Sequence, residues 1–252
     1  MGSPAPSEAL LSLLRGQGPV LLLTGAGVSA ESGLATFRGP SGLWEGRDPA
    51  ELATPDAFAA DPLGVWRFYA WRRKEAAAAR PNAGHLALAA LERGRDDVLL
   101  VTQNVDGLHE RAGSRRIVRL HGSLFRLRCT EEGTEFEDLG SDLLPLPPRC
   151  ACGALLRPGV VWFGEPLPAE GLRAAATAAR RAVVVIVAGT SSLVYPAASL
   201  PVAAREAGAY VVEVNPEPTP MSSLAHERLR GPAGEILPRI VEAAGVEPAR
   251  TA

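Results

Sequence analysis

Lysine and cysteine are scarce in this chain of 252 residues, and it has no long apolar run. Lys74 is the only lysine, and 26 basic against 28 acidic residues give a formal net charge of −2, which argues against general binding to nucleic acid or to an anionic membrane. Three cysteines, an odd number, do not predict a disulfide framework. No apolar run approaches the roughly 20 residues that span a bilayer, and the first residues lack the basic and apolar regions of a signal peptide. We therefore predict a cytoplasmic protein.

The apolar segments that are present share one kind of ending. Five of them are typical of buried strands, and each stops at small or polar residues, which read TGAG, TQNVD, HGS, GTSS and NPE in chain order. Ligands of an open parallel sheet bind beyond the carboxyl ends of its strands. The five endings therefore predict one shared site.

The pattern predicts an α/β fold in two parts. We expect a Rossmann-like domain, a parallel sheet with helices on both faces, to comprise residues 1–38, 82–122 and 159–252. A smaller domain would be formed by two insertions, a helical one at 39–81 and a cysteine-containing one at 123–158, which is polar and rich in proline and glycine. The site would lie in the cleft between the two domains.

The first strand ending is a glycine turn. The stretch from Pro19 to Arg38, PVLLLTGAGVSAESGLATFR, predicts a buried strand, a tight turn and a helix. Glycines let an anion approach the backbone, and the free N–H groups of a helix N-terminus attract phosphate, so the turn is a candidate dinucleotide cradle. A turn without a ligand is the alternative, because GAG lacks the third glycine of the common dinucleotide fingerprint at its expected place. Arg38 is the residue that this alternative leaves unexplained.

Two further endings carry residues suited to catalysis. His121 follows a short predicted strand and could act as a general base near neutral pH, although a histidine at a strand end is often a packed or capping residue. Asn104 and Asp106 lie two apart on one turn and would point the same way. An Asx turn would favour these two residue types equally.

Eight motifs in order carry a resemblance to a known family. They read GAGVSAESGLATFRG, TPDAF, PNAGHLAL, LLVTQNVDGLHERAG, LHGSL, LRPGVVWFGE, GTSSLVYPA and EVNPE. The chain resembles the sirtuins, NAD-dependent protein-lysine deacylases, over about residues 20–240. The resemblance implies that NAD and an acylated lysine give nicotinamide, 2′-O-acyl-ADP-ribose and free lysine. It implies acylated-lysine proteins or peptides as partners and leaves the oligomeric state open.

The resemblance also implies a catalytic set of His121, Asn104 and Asp106. His121 would activate a ribose hydroxyl after the lysine amide oxygen has attacked the ribose C1′ and nicotinamide has left. Gln103 and Asn104 would contact the ribose and an ordered water, and Asp106 would hold the nicotinamide carboxamide.

The cofactor site is implied in the same way. Phe37 would shield the reactive C1′ from water, and Arg38 would bond phosphate or ribose oxygens. Glu217 suits ribose hydroxyls better than a 2′-phosphate, which favours NAD over NADP. The residues predicted to bind NAD are Gly25, Ala26, Gly27, Ser29, Gly33, Thr36, Phe37, Arg38, Trp44, Gln103, Asn104, Asp106, Gly189, Thr190, Ser191, Asn215, Glu217 and Ala233.

The segment Val160–Glu165 is strand-like and is predicted to bind the substrate peptide. The family resemblance implies that it pairs with the peptide by backbone hydrogen bonds, which tolerate many peptide sequences. Val161, Phe163, Gly164 and Glu165 would contact the substrate, with Phe163 lining the lysine tunnel. A small β-turn element of the core is the alternative.

Tyr69 and Arg72 are the residues from which we predict which acyl group is preferred. They lie three apart on a predicted helix and are therefore neighbours on one face. A packed tyrosine and a solvated arginine are the alternative from spacing alone. In its context the pair resembles that of class III sirtuins, which remove acidic acyl groups. An arginine can grip a carboxylate with two hydrogen bonds and a tyrosine hydroxyl can add another, so the pair predicts a preference for succinyl or malonyl over acetyl lysine.

The cysteines depart from the family pattern. A typical sirtuin zinc site has two C-x-x-C pairs, which supply four thiolates. Here the first pair remains only as Cys129, with Glu132 where the second thiolate is expected, and the second pair is contracted to Cys150 and Cys152. We predict Cys129, Cys150 and Cys152 as ligands of a structural zinc in a zinc-ribbon-like insertion. An insertion that folds without metal is the alternative.

Other functions are possible at the same site. Mono-ADP-ribosyl transfer would use the same NAD site with a protein side chain as acceptor. A non-catalytic NAD-sensing module is a further alternative, but a sensor needs no base such as His121. A hydride-transferring dehydrogenase is disfavoured by the serine-rich segment after the first strand and by the TQNVD turn.

Overall fold

The computed structural model describes residues 5–37, 48, 51–140, 142–143 and 145–245. Nine strands and eight α-helices lie within these ranges. The strands are β1 (Val20–Thr24), β2 (Val98–Thr102), β3 (Ile117–Arg119), β4 (Gly122–Cys129), β5 (Glu135–Glu137), β6 (Leu156–Val160), β7 (Val184–Ala188), β8 (Tyr210–Val214) and β9 (Glu227–Leu229). The helices are α1 (Glu8–Arg15), α2 (Pro55–Ala60), α3 (Pro62–Ala78), α4 (Ala83–Gly94), α5 (Leu108–Arg111), α6 (Ala169–Arg181), α7 (Leu200–Glu206) and α8 (Ala233–Ala243).

The larger sheet is parallel throughout, with the strand order β3-β2-β1-β7-β8-β9. The central strand β1 is buried along its whole length, with Leu22 packed in one apolar core and Leu21 and Leu23 in the other. Helices α1, α4 and α8 build the first core, and α6 and α7 build the second. The strand order reverses between β1 and β7, so a crevice for ligands opens at their carboxyl ends.

The smaller domain combines an antiparallel sheet, in the order β5-β4-β6, with helices α2 and α3. Its core is aromatic: Phe58, Trp66 and Trp162 are buried there together. The indole N–H of Trp66 donates to the carbonyl of Leu156 at 2.7 Å, which ties α3 to β6. The core therefore joins segments that lie far apart in the sequence.

The predicted fold class is confirmed, a Rossmann-like parallel sheet with helices on both faces and a smaller domain. In the structure β4 begins at Gly122 and β6 ends at Val160, close to two of the predicted domain boundaries. The exact boundaries stay a prediction. No helix within the described ranges has the length and apolar character needed to cross a membrane.

One local prediction is confirmed and another is wrong. The helix predicted after β1 is present as a 3₁₀ helix, Ala26–Ser32, in which Val28 N–H bonds three residues back to Gly25 and which Gly33 ends at φ 85°. The strand predicted over Val160–Glu165 ends at Val160. Beyond it, Val161 N–H bonds to the carbonyl of His121 and Phe163 N–H bonds to that of Ala53, so successive N–H groups serve different elements.

Candidate active site

Two turns meet at the point where the strand order reverses. Gly25 N–H donates to Ala188 O at 3.1 Å and Gly27 N–H donates to Gly189 O at 2.8 Å. A Cβ at Gly27 would lie 2.8 Å from Gly189 Cα, and one at Gly189, whose φ is 60°, would lie 2.4 Å from Val28 N. The glycines are therefore required where the two backbones touch, and their close approach forms the floor of the crevice.

Asn104 and Asp106 are fixed in a buried polar network beside that floor. Asn104 Nδ2 donates to Gly25 O at 3.0 Å and to Ser29 Oγ at 3.2 Å. Ser29 Oγ donates to one Asp106 oxygen at 2.7 Å, and the other oxygen accepts the N–H of Leu108 at 2.9 Å. The two side chains of the TQNVD turn are thus held rigidly, and Ser29 links them.

His121 lies between β3 and β4 with one ring nitrogen facing a carbonyl. Its Nδ1 is 3.1 Å from Gln103 O. Because a carbonyl oxygen only accepts, Nδ1 carries the proton, and the neutral ring then has a lone pair on Nε2. Burial lowers the pKa of His121 although the bond to Gln103 opposes the shift. The side chain lines the cavity as a neutral imidazole at neutral pH, the form that a general base requires.

The far side of the crevice is bridged by Thr190. Gln103 Nε2 donates to Thr190 Oγ1 at 3.0 Å, and Asn215 Nδ2 donates to Thr190 O at 3.1 Å. These bonds join the ends of β2, β7 and β8 into one wall. Its small and amide side chains suit hydroxyl-bearing ligands.

The opposite end of the cavity is built by α3 and the loop after β6. Tyr69 is 6% exposed, and its hydroxyl accepts the indole N–H of Trp162 at 2.9 Å. Burial raises the pKa of Tyr69 to about 12, so its hydroxyl stays protonated. The guanidinium carbon of Arg72 lies 4.9 Å from the centre of the Phe37 ring. This end therefore places a phenol and a cation on the wall of the same cavity as His121.

Arg72 and its neighbour Arg73 have different surroundings. Arg73 is 1% exposed and donates to Asp138 Oδ1 at 3.0 Å and to Gly140 O at 2.5 Å. By contrast, no carboxylate of the described ranges lies within ion-pairing distance of Arg72. Burial lowers the pKa of Arg72, and Tyr69 and Asp106 oppose the shift. Arg72 is thus a partly buried cation that lines a cavity, whereas Arg73 is a fully buried structural clamp.

The loop 161–165 is braced by an ion pair. Arg157 holds both oxygens of Glu165, at 2.5 and 2.8 Å, and Glu165 also accepts the N–H of Trp162 at 2.8 Å. Burial opposes ionisation of Glu165, but the bonds from Arg157 and Trp162 lower its pKa. Phe163 is 44% exposed at the cavity mouth. The loop is therefore stiff although it is no strand.

Most of the predicted site residues line one cavity of about 360 Å³. Those on its wall are Gly25, Ala26, Gly27, Thr36, Phe37, Tyr69, Arg72, Gln103, Asn104, His121, Val161, Phe163, Gly164, Glu165, Gly189, Thr190, Ser191 and Asn215. Five others in the described ranges lie off its wall: Ser29 and Asp106 beneath it, Gly33, Glu217 and Ala233. Arg38 and Trp44 lie outside the described residues.

Ala233 and Glu217 lie away from the lining for different reasons. Ala233 is 3% exposed and packs in the apolar core at the start of α8. Glu217 is exposed, and its carbonyl accepts a bond from Arg230 at 3.3 Å. Their predicted contacts with NAD stay predictions.

Sequence reasoning missed two features of the site. Trp162 was not singled out, although its indole N–H meets Tyr69. His85 and His109 lie with ring centres 4.8 Å apart beneath the Ser29–Asp106 pair, and burial lowers their pKa values to about 3 and about 4. Their apolar neighbours in the sequence predict structural histidines, which their burial confirms, but do not show that the two rings lie beneath the site.

The predicted metal ligands come together away from the cavity. Ligand atoms of Cys129, Glu132, Cys150 and Cys152 all lie within 4.8 Å of one another, and the sulfurs of Cys129 and Cys152 are 3.5 Å apart. Zinc–sulfur bonds of about 2.3 Å in a tetrahedron place sulfurs about 3.8 Å apart. Three thiolates and a carboxylate at this spacing are consistent with a structural zinc.

The comparisons with known proteins agree with this geometry. A family model described as the Sir2 family matches residues 25–196. The chain belongs to the Sir2 family. NAD-dependent protein deacylase 2 of Pyrobaculum aerophilum is 55% identical over 223 residues, which cover 88% of this chain and 89% of that protein. NAD-dependent protein deacylase 1 of Archaeoglobus fulgidus is 51% identical over 93% of this chain and 96% of its own length.

Solved structures of Sir2 homologues superpose closely on this chain. A complex of a Sir2 homologue with NAD has a TM-score of 0.90 at 50% identity and covers 95% of this chain and 94% of its own. A mutant Sir2 homologue in complex with ADP-ribose has a TM-score of 0.92 at 49% identity. The match covers 95% of this chain and 97% of that structure's chain. This Sir2 family chain is therefore an NAD-dependent protein deacylase. NAD fits the site, because the crevice has a glycine floor and a hydroxyl-binding wall at the strand switch point.

Proposed function

We propose that this protein removes acidic acyl groups, succinyl and malonyl, from protein lysines in preference to acetyl. The observation that carries the proposal is the pairing of Tyr69 with Arg72 on the wall of the cavity that also holds His121. An acyl group that reaches from His121 toward α3 would meet these two side chains. Class III sirtuins, which the motif resembles, act on the same acyl groups.

The surroundings of Arg72 favour an acidic acyl group. This cation is partly buried and has no carboxylate of the described residues within ion-pairing distance, so it has lost part of its hydration and gains from a carboxylate that enters the cavity. The planar guanidinium can bind both oxygens of that carboxylate. The hydroxyl of Tyr69 stays protonated and can donate a further hydrogen bond. An acetyl group has no terminal carboxylate for Arg72 or Tyr69 to bind.

The roles of the reacting-site residues are part of the proposal. NAD supplies the ribose to which the acyl group is transferred and the nicotinamide that leaves. His121 Nε2 would accept the proton of a ribose hydroxyl while Nδ1–H stays bonded to Gln103 O. Asn104 and Asp106, held through Ser29, would orient the ribose and the carboxamide from beneath.

Other groups would bind the rest of the cofactor and the peptide. Gly189, Thr190, Ser191 and Asn215 would hold the adenosine half along the bridged wall. The loop 161–165 would pair with an acylated-lysine peptide. Within the described chain its Gly164 N–H has no partner, whereas the N–H groups of Val161 and Phe163 are used internally.

We further propose that Cys129, Cys150 and Cys152 bind a structural zinc with Glu132 as the fourth ligand. Cys129 is the last residue of β4, and the other two cysteines lie in the turn before β6. The metal would tie together the two long strands of the small sheet. Its role is structural, because the cluster lies outside the cavity lining.

Substitution of Arg72 by methionine tests the proposed acyl preference. The variant and the wild type are assayed with succinyl-, malonyl- and acetyl-lysine peptides, with and without NAD, by release of nicotinamide and of free lysine. Arg72→Met should lower kcat/KM for the succinyl and malonyl peptides by about 10- to 100-fold, since a charge-assisted hydrogen-bond pair is lost.

Arg67→Met is the matched control for this experiment. Arg67 is exposed on the same helix and does not line the cavity, so its loss removes the same charge without touching the acyl site. Its succinyl-to-acetyl ratio of kcat/KM should equal that of the wild type. Equal ratios for Arg72→Met and the wild type would refute the role of Arg72, a wild-type ratio at or below unity would refute the acyl preference, and both would leave the deacylase assignment standing.

A further inference from the structure

The hydroxyl of Tyr69 has only one partner among the described residues. That partner is Trp162, whose indole N–H points at the Tyr69 oxygen from 2.9 Å in a buried contact. An indole N–H can only donate, so the tyrosine oxygen must be the acceptor. The phenolic proton is therefore left for a different partner.

The direction of that proton follows from the chemistry of phenols. A phenolic O–H prefers to lie in the ring plane and so has two main orientations. A proton turned toward Trp162 would meet the indole hydrogen head-on, so the other orientation is favoured. Because burial raises the pKa of Tyr69 to about 12, the hydroxyl keeps its proton to donate.

Trp162 is itself held in place on several sides. The guanidinium carbon of Arg157 lies 3.5 Å from the centre of the Trp162 ring, and Arg157 is fixed by both oxygens of Glu165. Phe58 packs against the indole at 5.3 Å between ring centres. The indole N–H consequently has little freedom to turn away from Tyr69.

We propose that Trp162 is a positioning residue for acyl specificity: its indole N–H occupies the acceptor side of Tyr69 and turns the phenolic O–H toward the carboxylate of an acidic acyl group. The inference rests on the proposed function, since it concerns how the same site recognises that carboxylate. Tyr69 and Arg72 then present hydrogen-bond donors only. An anion satisfies both residues, whereas a neutral acyl chain leaves the donors unpaired.

The test compares succinyl-lysine with butyryl-lysine peptides, since the two acyl chains have the same length and differ in the terminal carboxylate. A neutral hydrogen bond changes affinity by about two- to tenfold. Trp162→Phe should lower the succinyl-to-butyryl ratio of kcat/KM by about that factor. The change should appear in KM for the succinyl peptide, because the contact is made equally in the ground state and the transition state.

Two further variants separate positioning from packing. Trp66→Phe is a matched control, since it also removes a buried indole hydrogen bond from the same aromatic core but lies outside the cavity lining. It should lower stability and leave the ratio at the wild-type value. In a Tyr69→Phe background, Trp162→Phe should lower the ratio no further, because the hydroxyl through which it acts is gone.

The outcomes distinguish this inference from the proposed function. A wild-type enzyme without preference for succinyl over butyryl overturns the inference about Trp162, and one without preference for succinyl over acetyl overturns the proposed function as well. A wild-type preference that Trp162→Phe retains, or that it reduces equally in the Tyr69→Phe background, overturns only the role of Trp162. If Trp162→Phe does not fold, benzothienylalanine at position 162 replaces the N–H by sulfur in a ring of the same shape and carries the same expectations.

Discussion

The two ends of the cavity are organised in different ways. At the sheet end, Gly25, Asn104, Ser29 and Asp106 satisfy one another through backbone and side-chain hydrogen bonds. At the small-domain end, Arg72 has no anion beside it in the described structure, and the Tyr69 hydroxyl has a proton to donate. The polar groups of the sheet end thus satisfy one another without substrate, whereas under the proposed function an acidic acyl group would complete the small-domain end.

Under the proposed function, this contrast separates catalysis from acyl specificity. Groups at the ends of parallel strands are placed by the sheet itself, so they would serve every acyl substrate alike. Groups at the small-domain end are placed by side-chain contacts between α3 and the loop after β6, which can change without disturbing the sheet. Substitutions at the two ends should therefore lower kcat/KM for the acyl substrates in different ways.

The largest effect is expected from loss of the proposed base at the sheet end. His121→Ala should lower kcat/KM by about 100- to 10,000-fold for succinyl and acetyl peptides alike, because proton transfer serves both. His226→Ala, at an exposed histidine outside the cavity, serves as control. Initial rates of free-lysine release measure both variants, because nicotinamide leaves before the proposed base acts. A His121→Ala enzyme that still deacylates at the wild-type rate would exclude His121 as the base.

The next effect is expected from the proposed zinc ligands, since Cys129 packs in the core of the smaller domain. Cys129→Ser should lower the free energy of unfolding by about 2–4 kcal/mol, as loss of a structural metal ligand does. Urea unfolding and zinc content by atomic absorption provide the measurements. Ser223→Ala, at an exposed hydroxyl that is remote from the cluster and bonds to Pro220 O at 3.3 Å, provides a reference for the loss of one surface hydrogen bond. Equal zinc content in Cys129→Ser and wild type would contradict the ligand set.

A smaller effect concerns the buried imidazoles beneath the sheet end. The folded-state pKa of His109 is about 4 against 6.5 for a free histidine, so between these pH values the unfolded chain binds a proton that the folded chain does not. Stability should fall as the pH drops from 6.5 toward 4, by up to about 1.4 kcal/mol per pH unit for this group. Thermal unfolding at pH 7 and pH 5 checks this.

The control for that measurement is the same titration on His109→Gln and on His226→Gln. Removal of the buried histidine should reduce the pH dependence of stability, although it also lowers stability at pH 7. Removal of the exposed His226 should leave most of the pH dependence of stability unchanged. Identical slopes for wild type and His109→Gln would show that His109 is not the group responsible.

The smallest effect is a shift in the acid limb of the rate profile. Since burial lowers the pKa of His121, the base form persists below the ordinary histidine range. A plot of kcat/KM against pH should therefore fall with a midpoint below 6.5 for both acyl substrates. A midpoint above 6.5, or midpoints that differ between succinyl and acetyl peptides, would contradict this assignment.

Sequence patterns predicted the sheet end better than the small-domain end. Apolar runs that stop at polar turns identify β1, β2, β7 and β8 because each strand is a local feature and parallel strands bring their ends together. Helix α6 was missed although its polar and apolar residues lie on separate faces: its buried residues are Ala175 and Ala179, and alanines do not form a stripe of large apolar side chains. Strand β9 was missed because three residues carry no pattern.

The small-domain end depends on contacts that no local pattern encodes. Tyr69 and Trp162 are 93 residues apart in the chain, and only the aromatic core brings them together. Spacing on one helix could place Tyr69 beside Arg72, but it could not show that Arg73 is clamped by Asp138 while Arg72 stays unpaired in the described structure. The roles assigned to individual residues at both ends stay predictions.

The central claim is that a carboxylate completes the small-domain end. The most direct measurement is the ratio of kcat/KM for succinyl- and butyryl-lysine versions of one peptide with the wild-type enzyme at saturating NAD. The account predicts a ratio above about 10, since the charge-assisted bonds to Arg72 and Tyr69 form only with succinyl. A ratio at or below unity would contradict it.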